Sequence, residues 1–246
     1  MIIDFDKKYV FIGLPYSASS AISKELLEQY NGQPLLHKHS NIPILLKARP
    51  DIDISEYYVF AVARDPVEMV FSVYNKYLTN AHGVYTEPKY FLENGGHVPK
   101  RARRLYKKIS KGQWTFEEYV RRQYKSIPYD NYLSENKPYI NRVIRFDHLA
   151  QDFPQCLSDV GIEVKRDLPV YNKTRKVIRD NQLPSELKLD VFGPFFCFNQ
   201  DFFPNESCQQ TNLFQKYRFL FFRKVRSLKW YRFDNMKKDL DRSMIN

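Results

Sequence analysis

The chain has 246 residues and a formal net charge of +11, with 43% hydrophobic and 16% aromatic residues. This length and apolar content suffice for one full hydrophobic core. No run of about 18 apolar residues is present, which excludes a membrane-spanning helix. The first predicted strand begins within ten residues of the start, which leaves no room for a cleavable signal sequence. We therefore expect one cytoplasmic, unexported domain over residues 1–246.

The cysteines and the charge restrict the class of protein further. Cys156, Cys197 and Cys208 show neither a metal-ligand spacing nor a disulfide framework, so we expect ordinary thiols in a reducing compartment. The positive charge favours an anionic partner: a nucleotide, an acidic polysaccharide, a nucleic acid or an anionic membrane surface. Basic residues concentrate in residues 100–111 and 216–238.

The first predicted unit is a strand, a loop and a helix. Residues 9–12 are apolar and β-prone, Gly13 and Pro15 interrupt them, and a helical pattern begins near Ile22. The intervening residues 17–20 are small, and three of the four carry hydroxyl groups. The N–H groups at the start of such a helix favour a phosphate or sulfate. The alternative is a plain turn in which a serine caps the helix.

A second site pattern follows the next predicted strand, residues 57–63. This run is apolar and rich in β-branched residues, as in a parallel strand buried on both faces. It ends at Arg64, and Asp65 and Pro66 then predict the cap and first residue of a helix. Arg64 therefore stands at the carboxyl end of a strand, where open α/β sheets bind their ligands.

The remaining segments complete an alternation of strands and helices. Residues 33–40 predict a short extended segment with His37 and His39 on one face. Residues 80–112 predict an insertion or acceptor-side lid with a helical piece at 101–109. Further predicted elements are a helix at 41–47 capped by Ser40 or Asn41, a helix opening at Trp114 or Thr115, a strand at 142–146, a helix from Asp147 to Gly161, a helix at 185–192 and a basic aromatic helical segment at 213–246. The alternation predicts a three-layer α/β domain.

The first loop lacks the cation of a nucleotide-binding P-loop. Gly13 and Ser20 fall on the outer positions of that motif, but Ala18 replaces its second glycine and Ser19 its lysine. A nucleoside triphosphatase is therefore disfavoured, because the main neutralising charge is missing.

Two segments together resemble the donor-binding signatures of sulfotransferases that use 3′-phosphoadenosine 5′-phosphosulfate, and of carbohydrate sulfotransferases in particular. They are residues 14–20 (LPYSASS) and 62–74 (VARDPVEMVFSVY). The second is the more specific, with an arginine, Asp-Pro, and a serine eight residues after the arginine. Weaker similarity at 143–149, 152–153 and 168–172 extends the resemblance over residues 8–205. It implies a P-loop-like domain with a central, mainly parallel sheet flanked by helices, and no metal.

The resemblance also implies roles for individual residues. Tyr16, Ser17, Ala18, Ser19 and Ser20 would form the loop that binds the 5′ phosphosulfate. The 3′ phosphate would contact Arg64 and Ser72, and Lys173 and Arg175 would close over the nucleotide. For the last two, solvated loop cations are an equal alternative.

The chain departs from the family at Tyr16, where a lysine is usual. That lysine would stabilise charge on the bridging oxygen, so its absence puts the activity in question. Lys24, Lys38 and Lys47 are candidates to replace it. His39 is the first candidate for the base that deprotonates the acceptor, and His37 is the second.

The sequence therefore predicts a sulfotransferase that acts on a hydroxyl acceptor. A carbohydrate is the expected acceptor, and acidic and lipid-linked acceptors are among the options. The alternatives are a catalytically impaired nucleotide- or glycan-binding protein on the same fold and a small-molecule kinase. For residues 213–246 we expect a helix packed by its aromatic face, or a peripheral contact with an anionic membrane. Nucleic acid is not an expected partner, because no recognisable binding module is present.

Overall fold

The computed structural model describes residues 1–124, 130–170, 182–204 and 211–225. Its strands are β1 (Ile2–Asp4), β2 (Tyr9–Ile12), β3 (Gln33–Pro34), β4 (Tyr58–Ala63) and β5 (Arg142–Arg145). Its α-helices are α1 (Ser19–Gln29), α2 (Ile42–Ala48), α3 (Pro66–Leu78), α4 (Lys100–Ser110), α5 (Phe116–Gln123), α6 (Asp130–Asn136), α7 (Leu149–Asp159) and α8 (Ser185–Phe198). Residues 213–225 are also helical.

The strands form one mixed sheet in the order β3-β1-β2-β4-β5. β2, β4 and β5 are parallel neighbours, with Phe11 opposite Phe60 and Ala61 opposite Val143. β1 runs antiparallel to both β2 and β3. The carboxyl ends of three parallel strands therefore meet at one edge of the sheet. The loop after residue 12 and Arg64, the two predicted site segments, both lie at this edge.

Alternate residues of the central strands pack into two separate cores. Tyr9 and Phe11 face α1 and α7, and lie in a cluster with Leu26 and Phe153. The intervening Val10 and Ile12, with the matching residues of β4, pack in a second cluster with α2, α3, α5 and α8. Because every second residue points to the opposite face of a sheet, this division confirms an α/β fold with helices on both faces.

Side-chain caps begin three of the described helices. Asn41 caps α2 by accepting from the Ile44 N–H at 2.9 Å, and Asp65 caps α3 by accepting from Val67 and Glu68. Thr115 opens α5 with a capping box that includes Glu118. Asp147, by contrast, does not cap α7. It pairs with Arg145, and the N-cap residue is His148.

The structure corrects two further expectations. Cys197 is disulfide-bonded, whereas Cys156 is a free, buried thiol. Spacing along the chain did not reveal the disulfide, and the cysteines no longer argue for a reducing compartment. α8 extends to Phe198, through Pro194, instead of ending near Phe192.

The helical residues 213–225 are only partly packed on the domain. Phe219 is buried and stacks on Phe198 with ring centroids 5.6 Å apart. Leu213, Phe214, Tyr217 and Phe221 are exposed, so within residues 213–225 most of the predicted aromatic face is not packed on the domain. No helix in the described ranges has the length and apolar character needed to cross a membrane.

Candidate anion-binding site at the sheet edge

The turn between β2 and α1 contains two residues with left-handed backbone conformation. Tyr16 has a φ of 62° and Ala18 a φ of 57°, a conformation that costs roughly 1–2 kcal/mol for a residue with a side chain. Ser17 between them is buried, and its hydroxyl donates to the Leu14 carbonyl at 2.8 Å. The Ser17 hydroxyl thus holds the turn together. Successive backbone N–H groups in turns of this kind form concave anion sites.

The first turn of α1 has no side-chain cap. Ala18 is the N-cap residue, and its carbonyl accepts from the N–H groups of Ala21 and Ile22 at 2.9 and 3.1 Å. The alternative of a serine cap is therefore wrong. Ser19 is buried and Ser20 is exposed at the loop. Because no side-chain oxygen of the described residues caps this end, the positive end of the helix dipole faces the turn.

Residues 37–39 lie against this turn and add a cation to it. A Cβ atom at Gly13 would lie 2.9 Å from the Lys38 carbonyl oxygen, so the close approach of the Lys38 backbone to residue 13 requires a glycine there. The Lys38 ammonium donates to the Ser20 hydroxyl at 2.6 Å. Burial lowers the pKa of Lys38. A lysine from outside the loop therefore stands at the start of α1.

His39 is oriented by the same turn. Its Nδ1 lies 2.6 Å from the Gly13 carbonyl oxygen. A carbonyl only accepts, so Nδ1 carries the proton and Nε2 carries the lone pair of the neutral ring. Burial lowers the pKa of His39, and Lys38 and His37 lower it further, while the bond to Gly13 opposes this shift. The ring is therefore neutral near pH 7 and suited to accept a proton.

His37 is adjacent to His39, but by a different geometry from the one predicted. The extended segment stops at Pro34, Leu36 has a φ of 58°, and the Ser40 N–H donates to the His37 carbonyl at 3.0 Å. The prediction of an extended segment through Ser40 is thus wrong, because a turn begins after β3. The two imidazole rings nevertheless lie with their centroids 5.8 Å apart.

Arg64 connects all three parallel strands at this edge. Its Nη1 donates to the Tyr16 carbonyl at 3.2 Å, in the turn after β2. Its guanidinium lies over the ring of Phe146, just after β5, at 4.3 Å from the ring centroid. Burial lowers the pKa of Arg64, whereas Glu68, 3.7 Å from Nη2, raises it. Among the described residues its buried Nε has no hydrogen-bond partner.

One side of α3 continues the site from Arg64. Glu68, Ser72 and Lys76 are spaced by four residues and so lie in a row along the helix. Glu68 meets Arg64 at one end of this row, and the Lys76 ammonium lies 4.9 Å from the Tyr16 ring centroid at the other. Ser72 is half-buried between them. The predicted pair of Arg64 and Ser72 therefore lies on the same side of α3.

Tyr16 turns its ring toward α3. It is 38% exposed and contacts Lys76. Burial raises the pKa of Tyr77 to about 12, and Tyr16 contributes to that rise, so the two phenols are electrostatic neighbours. Of the other replacement candidates, Lys24 lies 3.6 Å from Glu28 on α1, and Lys47 is in the last turn of α2. Lys173 and Arg175 lie outside the described residues.

No family model, curated protein or solved structure matches the chain.

Three contributors to the site were not identified from the sequence. The sequence predicts Phe146 as the last residue of a strand, whereas it follows β5 and its ring supports the Arg64 guanidinium. Lys76 carries one recognisable signal, its spacing of four residues from Ser72 along α3. The sequence predicts Gly13 only as the end of a strand, whereas its lack of a side chain also leaves space for the Lys38 carbonyl.

Proposed function

We propose that this protein is a sulfotransferase on a P-loop-like α/β domain, and that it transfers a sulfuryl group from 3′-phosphoadenosine 5′-phosphosulfate to a hydroxyl group of a carbohydrate. The observation that carries the proposal is the hydrogen bond from Arg64 to the Tyr16 carbonyl. It joins the two segments that resemble donor-binding signatures. A nucleotide with phosphates at both its 3′ and 5′ positions needs two such anion sites side by side.

Each phosphate has a distinct set of partners in this proposal. The 5′ phosphosulfate binds the turn around Ser17, the first N–H groups of α1 and the Ser20 hydroxyl. The 3′ phosphate binds Arg64 and Ser72, and Lys76 adds positive charge nearby. Charge-assisted hydrogen bonds contribute on the order of 1.5–3 kcal/mol each, so two or three of them suffice to anchor a nucleotide.

The transfer step uses two residues of the segment that follows β3. The acceptor oxygen attacks sulfur, a new O–S bond forms, and the bond from sulfur to the bridging oxygen breaks. Lys38 stabilises the negative charge that develops on the departing phosphate. His39 takes the acceptor proton at Nε2, the nitrogen left with a lone pair when Nδ1 donates to Gly13. Lys38 thus replaces the lysine that the family places at the position of Tyr16.

Calorimetric titration with 3′-phosphoadenosine 5′-phosphate tests the binding part. We expect the variant Arg64→Ala to bind about tenfold or more weakly than the unmodified protein, because one charge-assisted contact is lost. Arg142→Ala is the matched control. Arg142 is the first residue of β5, so it lies at the amino-terminal end of that strand, whereas the site lies at the carboxyl ends of the parallel strands. Equal affinity of Arg64→Ala and the unmodified protein would refute the site assignment.

Transfer of labelled sulfate to a panel of glycans separates the proposal from its rivals. Nucleotide binding without transfer to any glycan would favour a non-catalytic binding protein. Phosphate transfer from ATP, with ATP competing for the site, would favour a kinase. Transfer that is abolished in His39→Gln would support the proposed mechanism.

A further inference from the structure

A basic cavity of about 420 Å³ lies beside α4, outside the residues assigned to the nucleotide. This volume is within the range of roughly 300–1,000 Å³ that is common for small-molecule sites. All four charged residues that line it are cations: Lys100, Arg103, Arg104 and Lys107. Their spacing of three, four and seven residues from Lys100 places them on one face of the helix. The cavity therefore favours a ligand with negative charge.

Arg103 is held in place at this cavity. Its guanidinium stacks over the ring of Phe91 at 3.9 Å from the centroid, and it forms an ion pair with Glu93. Its buried Nε has no hydrogen-bond partner among the described residues. The Phe91 backbone, in turn, bridges to Val98. A planar cation supported in this way presents a fixed geometry to a sulfate or carboxylate group.

The aromatic residues of the cavity are poorly placed to stack on nucleic-acid bases. The Tyr85 ring stacks on Tyr77 at 4.7 Å and on Tyr106 at 5.5 Å, so its faces are used within the protein. Arg103 covers one face of Phe91. Single-stranded nucleic acids are bound largely by stacking on open aromatic faces. The lining instead offers cations, phenol groups and the Thr86 hydroxyl, which suit a ligand rich in oxygen atoms.

Tyr85 couples the cavity electrostatically to the turn of the anion site. Burial raises the pKa of Tyr85, and the neighbouring phenols of Tyr77 and Tyr16 raise it further. Tyr16 belongs to the turn between β2 and α1. The stacked rings of Tyr77 and Tyr85 therefore lie within electrostatic range of that turn, and Tyr85 also lines the cavity.

We propose that this cavity binds a sulfate or carboxylate group of an acidic oligosaccharide, the acceptor of the transfer. The identification of that ligand as the acceptor rests on the proposed function, whereas its binding does not. Residues 80–112 then recognise an existing negative charge on the glycan, which selects acidic glycans over neutral ones.

The test is calorimetric titration of the full chain with a chondroitin sulfate hexasaccharide, in the presence and absence of 3′-phosphoadenosine 5′-phosphate. We expect the double variant Arg104→Gln with Lys107→Gln to bind the hexasaccharide about tenfold or more weakly. The matched control is Lys108→Gln with Lys111→Gln, which removes the same charge from the last turn of α4 and from its C-cap residue but does not involve the cavity lining. An unchanged melting temperature and nucleotide affinity would show that both double variants are folded.

Three results would overturn the proposal: equal weakening in the control, equal affinity for a neutral isomaltohexaose, or comparable affinity for a ten-nucleotide oligothymidylate. The nucleotide arm separates the two hypotheses. Hexasaccharide binding that depends on Arg104 and Lys107 without any nucleotide binding would support the cavity and refute the sulfotransferase. Nucleotide binding without such hexasaccharide binding would refute the cavity alone.

Discussion

Lys38 donates to the Ser20 hydroxyl at 2.6 Å, although the two residues are separated by most of α1 and by β3. This contact brings a positive charge to the N-terminus of a helix whose preceding loop has none. Two sources of positive potential, the helix dipole and the ammonium group, are thus directed at the same point. An anion bound there would contact the N–H groups of α1 and Lys38 together.

We expect Lys38→Met to reduce sulfate transfer by roughly 10²–10³-fold, the loss typical of removing one preorganised group from a charge-stabilising site. Nucleotide affinity falls by about tenfold, because the 5′ phosphate loses one charged partner. Lys38→Arg restores part of both. Lys24→Met is the control, since Lys24 pairs with Glu28 on the exposed side of α1. Equal effects of the two methionine variants would exclude a specific role for Lys38.

Much of the sheet edge was predictable, because its elements carry strong local signals. The apolar runs of β2 and β4 and the Asp65-Pro66 start of α3 are readable from sequence alone. β1 is only three residues long and pairs antiparallel with β2, so no periodicity identifies it. The position of Lys38 depends on the turn after β3, where Leu36 has a left-handed conformation. Such a turn brings distant residues together in a way that spacing does not encode.

Phe146 is expected to act as a positioning residue for Arg64. Removing the ring in Phe146→Leu takes away a cation–π contact of about 0.5–2 kcal/mol and allows the guanidinium to move. Affinity for 3′-phosphoadenosine 5′-phosphate should therefore fall by a few-fold, less than in Arg64→Ala. In the double variant Phe146→Leu with Arg64→Ala, Phe146→Leu adds no further loss. Additive losses, measured by calorimetry, would show that Phe146 acts independently of Arg64.

The two small residues of the loop should respond to substitution in opposite directions. Gly13→Ala places a Cβ atom 2.9 Å from the Lys38 carbonyl, so we expect a loss of about 1–3 kcal/mol in the free energy of unfolding. Ala18→Gly relieves a φ of 57° and should be neutral or stabilising by up to about 1 kcal/mol. Urea denaturation measures both. A destabilised Ala18→Gly would show that the Ala18 methyl group contributes to packing.

His39 should determine the acid limb of the activity profile. Burial lowers its pKa below the ordinary value of 6.5, and a base acts only when neutral, so activity should fall only below that pH. We expect His39→Gln to lose roughly 10²–10⁴-fold in rate and to lack this limb. His148→Gln, at an exposed histidine next to Asp147, should keep both the rate and the limb. An acid limb that persists in His39→Gln would assign the base to another residue.

The same shift predicts a stability effect of definite sign. Because the pKa of His39 is lower in the folded state, the unfolded chain binds the proton more readily. The stabilising contribution of neutral His39 is therefore complete above about pH 6.5, the unfolded value, and declines as the pH falls toward the folded pKa. Urea denaturation across this range should show a smaller pH dependence for His39→Gln than for the unmodified protein. An identical dependence in both would mean that His39 titrates alike in the folded and unfolded states.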